Sequence, residues 1–178
     1  MKKMLVAAAL AAVAGAASAQ GYVGALAGLT KVNITCVTGA TCDDTDRGFK
    51  LYAGYAMTPN FGVEVGYTEL GKMKLTAPVV RAEIKGAAFS VVGVLRGQFT
   101  KDLAGVARLG AASVRAKLSS NVGVSDSDET LRLYSGLGLE YAVSKTLKIT
   151  GAADFTSVEL SGESGNAYIA GVGLQYGF

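Results

Sequence analysis

The charged residues offer the widest range of chemistry in this sequence, because the chain contains no histidine and only two cysteines. Without an imidazole, Ser-His and Cys-His nucleophiles and the usual zinc hydrolase centres are excluded. Five cations and three anions fall in the middle of segments where apolar residues alternate with small or polar ones, and opposite charges at such positions suit a network of salt bridges. We interpret the network as structural rather than catalytic, and we predict no cofactor or metal. Its members are Lys50, Glu64, Arg96, Arg108, Arg132, Glu140, Lys148 and Asp154.

Cys36 and Cys42 enclose a short polar stretch. Their spacing excludes a CxxC redox motif, and the chain offers no further soft ligands for a metal. In an oxidising compartment we expect a disulfide, which would stabilise the fold by about 2 to 2.5 kcal/mol on the chain-entropy model. Two free thiols are the alternative.

Two groups of acidic residues lie in polar gaps of the alternating pattern. Carboxylates can bind calcium, but neither group has the spacing of a calcium loop with its glycine and distal glutamate. We interpret both groups as solvated loop charges. They are Asp43, Asp44 and Asp46 in the first gap, and Asp126, Asp128 and Glu129 in the third.

The N-terminus has the composition of an export signal. Lys2 and Lys3 precede an apolar, uncharged stretch over 4–17, and a small-residue Ala-Ser-Ala cleavage site follows. The stretch is shorter than the roughly 20 residues that a membrane-spanning helix needs. We predict a cleaved signal peptide over 1–19 and one folded domain over 20–178. Removing the two lysines lowers the formal net charge from +3 to +1, which is too small to indicate nucleic-acid binding.

The rest of the chain alternates with a period of two residues, which predicts β-strands. The eight predicted strands cover 21–32, 47–57, 61–72, 84–99, 103–116, 130–143, 146–158 and 167–178. The gaps between them alternate between turns of two or three residues and long polar stretches at 33–46, 73–83, 117–129 and 159–166. This alternation is typical of outer-membrane barrels, which have long extracellular loops and short periplasmic turns.

The two faces of the predicted strands differ sharply. All eight mid-strand charges share a face with glycine, and none lies on the face rich in Leu, Val, Phe and Tyr. A soluble barrel with this pattern would expose the apolar rows to water, whereas in a bilayer those rows face lipid and closure leaves no unpaired strand edge. The pattern therefore predicts an all-β, eight-stranded, antiparallel, up-and-down transmembrane barrel in the outer membrane. A soluble lipocalin-like barrel is the alternative, and cell fractionation distinguishes the two.

Aromatic residues cluster near the short turns and the chain termini. Tyrosine and phenylalanine form girdles at the membrane interfaces of such barrels. We expect a periplasmic girdle made of Tyr22, Tyr55, Phe61, Phe99, Tyr141, Tyr176 and Phe178.

The export signal, eight alternating strands and glycine-rich inner face resemble the small outer-membrane β-barrel family. That family includes the OmpA transmembrane domain, OmpX, Ail and the opacity-like, porin-family surface proteins. The last strand resembles the family's assembly signal at Gly173, Tyr176 and Phe178, while Gly171 stands where a polar residue is usual. The resemblance implies recognition by the outer-membrane assembly machinery, and we expect no periplasmic domain after this strand.

Four cations surround the second gap and suggest an anionic partner. Lysine and arginine make charge-assisted hydrogen bonds to phosphate, and outer-membrane lipid and lipopolysaccharide are the partners that the predicted location supplies. We hypothesise that lipopolysaccharide phosphates bind Lys72, Lys74, Arg81 and Lys85.

Three functions remain for such a barrel. The first is a non-enzymatic surface protein that stabilises the outer membrane or presents its loops to host factors or other cell-surface ligands. The second is a narrow diffusion channel, which requires the interior salt bridges to open. The third, a membrane enzyme, is disfavoured because barrel hydrolases, acyl transferases and omptin-like proteases rely on histidine.

Overall fold

The computed structural model describes residues 20–33, 41–43, 45–76, 81–120, 125–160 and 163–178. All regular structure in these residues is β-strand, and no helix among them is long and apolar enough to cross a membrane. The strands are β1 Gly21–Asn33, β2 Thr41–Asp43, β3 Thr45–Ala56, β4 Phe61–Thr76, β5 Arg81–Gln98, β6 Leu103–Ser120, β7 Ser125–Ala142, β8 Leu147–Leu160 and β9 Glu163–Gly177.

The eight long strands form one closed antiparallel barrel. Each pairs with its neighbours in the chain, the β1–β9 pairing joins the two ends of the chain, and the β4–β5 pairing completes the ring. We call the end of the barrel that carries the three short turns its lower end, and the opposite end its upper end. The short strand β2 adds only three residue pairs to the upper part of β4. The predicted eight-stranded fold is confirmed.

The barrel is tilted and staggered. A path that starts at Glu129 and follows paired residues from strand to strand returns to β7 at Leu139, ten residues further along. For eight strands this stagger corresponds to a tilt of roughly 40° and an interior just wide enough for side chains. The intermediate residues of the path are Arg115, Ala87, Glu69, Phe49, Ala27, Val172 and Gly151.

The strands extend further upward than the sequence pattern predicts. Most of the gaps that we expected to be loops at 73–83, 117–129 and 159–166 are paired strand. The apolar alternation ends there because side chains above the membrane no longer face hydrocarbon, although the backbone pairing continues. The three short turns lie where predicted, between β3 and β4, β5 and β6, and β7 and β8.

The outward face is apolar over a band of membrane dimensions. On β7, Leu131, Leu133, Leu137, Leu139 and Tyr141 are all more than half exposed. The ten residue steps from Tyr141 to Leu131 span about 25 Å at a rise of ~3.3 Å and a tilt of ~40°, which matches the apolar band of outer-membrane barrels. The first outward charges follow above it, at Lys31, Arg47, Glu69, Arg115 and Glu129.

The inward face holds more than charges and glycine. Leu26, Val92, Val94 and Val106 are buried inside the barrel, and so is Tyr22 at 4% exposure. The prediction that Tyr22 belongs to the periplasmic girdle is wrong, because the outward positions of β1 begin at Val23 and Tyr22 has the opposite phase. The other predicted girdle residues are exposed near the short turns or chain end: Tyr55, Phe61, Phe99, Tyr141, Tyr176 and Phe178.

Reciprocal glycine–tyrosine pairs make room in the lower lumen. Tyr22 pairs with Gly54, and Gly24 pairs with Tyr52, across β1 and β3. A Cβ atom on either glycine would collide with the ring of the opposite tyrosine. The two rings meet edge to face with centroids 6.3 Å apart, which is a favourable aromatic geometry.

Moving a charge onto the apolar band tests the orientation of the barrel. Leu137→Arg places a guanidinium in hydrocarbon, and we expect it to destabilise the barrel by about 2 to 4 kcal/mol in urea unfolding from lipid vesicles. The matched control is Thr45→Arg, an exposed position at the upper end of β3, which should unfold like the wild type. Equal stability of the two variants would contradict the membrane orientation.

Candidate functional site

The lumen contains a lower ionic cluster near the short turns. The guanidinium Nε of Arg96 donates to both oxygens of Glu140 at 3.2 and 3.3 Å, and Lys148 Nζ donates to Glu140 Oε2 at 2.7 Å. Arg96 also lies over the ring of Tyr22, 4.7 Å from its centroid. Two cations therefore share one buried carboxylate, and the Lys148 side chain is 35% exposed at the open end.

A central ionic cluster lies deeper in the lumen. Lys50 Nζ contacts Glu64 Oε1 at 3.2 Å and Asp154 Oδ2 at 2.9 Å, while Arg108 Nε donates to Glu64 Oε1 at 3.1 Å. The Tyr22 hydroxyl donates to the other oxygen of Glu64 at 3.4 Å and links the two clusters. Two cations and two anions, each at most 4% exposed, give a neutral arrangement.

Aromatic rings and glycines surround the central cluster. Lys50 Nζ lies 5.3 Å from the ring centroids of both Tyr52 and Tyr134, a distance at which cation–π attraction operates. A Cβ atom on Gly136 would collide with Asp154. The glycines of the inner wall thus create the volume that the charged side chains occupy.

Several buried polar atoms of this region have no hydrogen-bond partner among the described residues. They include Thr68 Oγ1, Arg108 Nη1, Tyr134 Oη and Asp154 Oδ1. Buried polar groups without partners are costly. Together with the central ionic cluster, these atoms make the centre of the lumen strongly polar.

An apolar layer covers the ionic clusters at the upper end. Val114 lies six residues beyond Arg108 along β6, and Leu70 lies six residues beyond Glu64 along β4. Both are buried, as are Val32 and its cross-strand partner Ala167. Sequence reasoning missed this layer because its valines, leucine and alanine carry no charge and fit either face of a strand.

The structure brings together seven of the eight predicted network residues. Arg132, the eighth, also has the inward phase, on β7 two residues above Tyr134, and makes interactions of its own. The predicted Cys36–Cys42 disulfide and the predicted signal peptide at 1–19 lie outside the residues whose side chains are described. The C-terminal residues Tyr176 and Phe178 are exposed on the outer face, while Gly173 lies on the inner wall opposite Leu26 and Thr150.

Exposed charges mark the upper boundary of the apolar band. Glu129 accepts hydrogen bonds from Ser113 Oγ at 2.6 Å and Arg115 Nη2 at 2.7 Å. These two donors, with the charge of Arg115, lower the pKa of Glu129 below its ordinary value. Both side chains are more than half exposed, so the contribution of the pair to stability is small.

The four cations around the second gap lie where 72–76 of β4 pairs with 81–85 of β5. We call this two-stranded segment the β4–β5 ribbon. The β4–β5 register pairs Lys72 directly with Lys85, Lys74 with Glu83, and Thr76 with Arg81. The ribbon begins at a bulge where Gly71 has a φ of 76°, a left-handed conformation that favours glycine. A side chain there would also contact the carbonyl of Arg47.

Comparison with known sequences finds matches to outer-membrane proteins. Residues 16–157 match the OmpA-like transmembrane domain family. An uncharacterized protein of Haemophilus influenzae is 34% identical over 94 residues, which cover 52% of each chain. Outer membrane protein A of Escherichia coli O157:H7 is 30% identical over 100 residues, which cover 56% of this chain and 29% of that protein. The aligned regions thus span about half the length of one relative and under a third of the other.

Solved structures share the fold. Ail of Yersinia pestis superposes with a TM-score of 0.60 at 19% identity, covering 90% of this chain and 99% of Ail. Neisserial surface protein A gives 0.65 at 16% identity, with 89% and 97% covered. A second Ail structure, with a TM-score of 0.60, 18% identity and coverage of 90% and 99%, contains the heparin analogue sucrose octasulfate.

Removing the carboxylate shared by Lys50 and Arg108 tests the central cluster. Glu64→Ala leaves two buried cations with fewer partners, and we expect a loss of about 3 to 5 kcal/mol in the free energy of unfolding, measured by urea titration in lipid vesicles. Glu129→Ala is the matched control, because it removes an exposed carboxylate that also pairs with an arginine, and it should unfold like the wild type. A Glu64→Ala barrel as stable as this control would contradict the clusters' structural role.

Proposed function

Because the chain belongs to the OmpA-like transmembrane domain family, we propose that this outer-membrane barrel is a non-enzymatic surface protein that acts through its extracellular strands and loops. The observation that carries the proposal is the filled lumen. Two interlinked ionic clusters occupy its lower and central parts, and buried Val32, Leu70, Val114 and Ala167 cover them from above. A filled interior leaves the extracellular end as the surface able to bind partners.

A narrow diffusion channel is the second candidate. The buried polar atoms of Thr68, Arg108, Tyr134 and Asp154 that have no partner among the described residues favour it, because they give the central lumen a polar lining. Conduction would also require the apolar layer above them to move aside. The filled upper lumen therefore favours the surface role.

Conductance distinguishes these two functions. We expect the purified full chain to insert into planar bilayers without producing stable conductance steps, because both the ionic clusters and the apolar layer obstruct the lumen. Heat-modifiable migration in gel electrophoresis serves as the control for a folded barrel. Reproducible single-channel steps from the folded barrel would contradict the surface role and favour the channel.

Anionic glycolipid is the partner that we propose for the β4–β5 ribbon. The backbone register sets Lys72 opposite Lys85, and like charges directly opposite are destabilising. A phosphate group held between them would relieve this repulsion through charge-assisted hydrogen bonds. The sulfated sugar in an Ail structure supports testing an anionic glycan at this end of the barrel.

We also propose that the outer-membrane assembly machinery recognises the last strand, with Gly173, Tyr176 and Phe178.

Neutralising the ribbon tests this partner. We expect simultaneous change of its four cations to Gln to weaken binding to lipopolysaccharide vesicles at least tenfold, because each cation near an anionic surface contributes ~1 kcal/mol. Co-sedimentation, with sucrose octasulfate as a soluble competitor, measures the change. The control changes the exposed turn residues Lys101 and Lys145 to Gln and should bind normally. Unchanged binding by the quadruple variant would contradict the proposal. The four changed residues are Lys72, Lys74, Arg81 and Lys85.

A further inference from the structure

Two opposite charges lie side by side on the outer wall of β3 and β4. Arg47 is two residues above Phe49 on β3, and Phe49 pairs with Glu69 on β4. Arg47 and Glu69 are both exposed. Within the described part of the chain neither of their side chains has an ion-pair partner, whereas Arg115 and Glu129 on β6 and β7 are joined at 2.7 Å. Each of the two charges on β3 and β4 is therefore available to a partner outside its own chain.

The line that joins these two charges runs nearly parallel to the membrane. One strand spacing of ~4.8 Å and two residue rises of ~3.3 Å place the Cα atoms of Arg47 and Glu69 about 8 Å apart. The staggered path around the barrel descends from β4 to β3, whereas two residues along β3 from Phe49 to Arg47 lead upward. At a strand tilt of ~40° these displacements nearly cancel, which leaves Arg47 only about 2 Å higher than Glu69.

Opposite charges at one height are complementary to a second copy of the same surface. When a second barrel is rotated by half a turn about an axis normal to the membrane and faces the first, its Arg47 lies opposite Glu69 and its Glu69 lies opposite Arg47. The interfaces of twofold dimers are self-complementary in this way. Because the charges lie at the boundary of the apolar band, contact would remove them from water in part, and the two ion pairs would be stronger than fully solvated pairs.

The wall between and below the two charges is suited to close contact. Phe49 lies between them and is 39% exposed. On β1, the outward residues Ala25 and Ala27 pair with Leu51 and Phe49. Small residues allow two transmembrane surfaces to approach closely, so the half-exposed side chain of Leu51 can pack against the alanines of a second copy.

We infer that this surface, which we call the twofold face, joins two copies of the chain into a dimer within the outer membrane. A lipid phosphate suits Arg47 but is repelled by the adjacent Glu69, whereas a second copy satisfies both charges. The dimer goes beyond the proposed surface role, because it sets two extracellular ends side by side. The residues of the twofold face are Ala25, Ala27, Arg47, Phe49, Leu51 and Glu69.

Charge reversal tests the dimer with the full chain in lipid vesicles. Energy transfer between donor- and acceptor-labelled barrels measures association over a range of protein-to-lipid ratios. We expect Glu69→Arg and Arg47→Glu each to weaken association by about tenfold or more, because like charges then face each other across the twofold axis. An equimolar mixture of the two variants should associate like the wild type, because each changed position then meets the opposite charge on the other barrel.

The matched control applies the same reversals to the other wall. Arg115→Glu and Glu129→Arg change an exposed pair on β6 and β7, outside the twofold face, and both variants should associate like the wild type. Heat-modifiable migration verifies that each variant folds. Wild-type barrels without concentration-dependent energy transfer, or reversal variants that associate undiminished, would overturn the inference. A mixture of Glu69→Arg with Arg47→Glu that stays monomeric would also overturn it, because the loss would then not come from the ion pairs.

Discussion

Backbone hydrogen bonding in hydrocarbon governs the architecture of this chain. Inside a bilayer no water is present to satisfy an unpaired N–H or C=O group, so a strand structure must close on itself. The barrel is closed over most of its apolar outward face. It opens between β3 and β4 above Phe49 and Glu69, and between β7 and β8 above Tyr134 and Thr156. The first outward charges appear close to these levels, so the pairing ends near the upper boundary of the apolar band.

Closure with eight strands has a direct consequence for the interior. The ring is so narrow that side chains must fill it, and any charge placed there needs partners because a lone buried ion is costly. Glu64 and Glu140 each receive two cations, and Asp154 completes the central cluster. The inner glycines follow from the same restriction, since rings and long charged chains need the space that a Cβ atom would take. The lumen is thus a polar counterpart of a hydrophobic core.

The sequence predicts the architecture best where lipid imposes a two-residue period. Strand phases, short turns and the inward position of the mid-strand charges could be read because hydrocarbon tolerates no charge on the outer row. The assignment of Tyr22 to the girdle is wrong because an aromatic residue near a turn suits either the girdle or the lumen. Only the register of Tyr22 against Gly54 decides which of the two it occupies. The apolar layer at Leu70 and Val114 gave no signal, since a valine or leucine fits either face. The sequence pattern does not reveal the upper parts of the strands, because above the bilayer the backbone pairing is independent of side-chain polarity.

The same constraint locates the surface on which function depends. Over most of the apolar band every strand has two partners and its side chains face either lipid or a filled lumen, so little remains available for a ligand. Above it, the sheet separates at β7 and β8, and charge becomes unevenly distributed. The β4–β5 ribbon carries Lys72 opposite Lys85, whereas the upper part of β7 carries Asp126 and Asp128. One end of the molecule thus carries a cationic ribbon and an acidic strand. A barrel whose wall and interior are fixed by the membrane can therefore diversify its binding only where the requirement for closure ends.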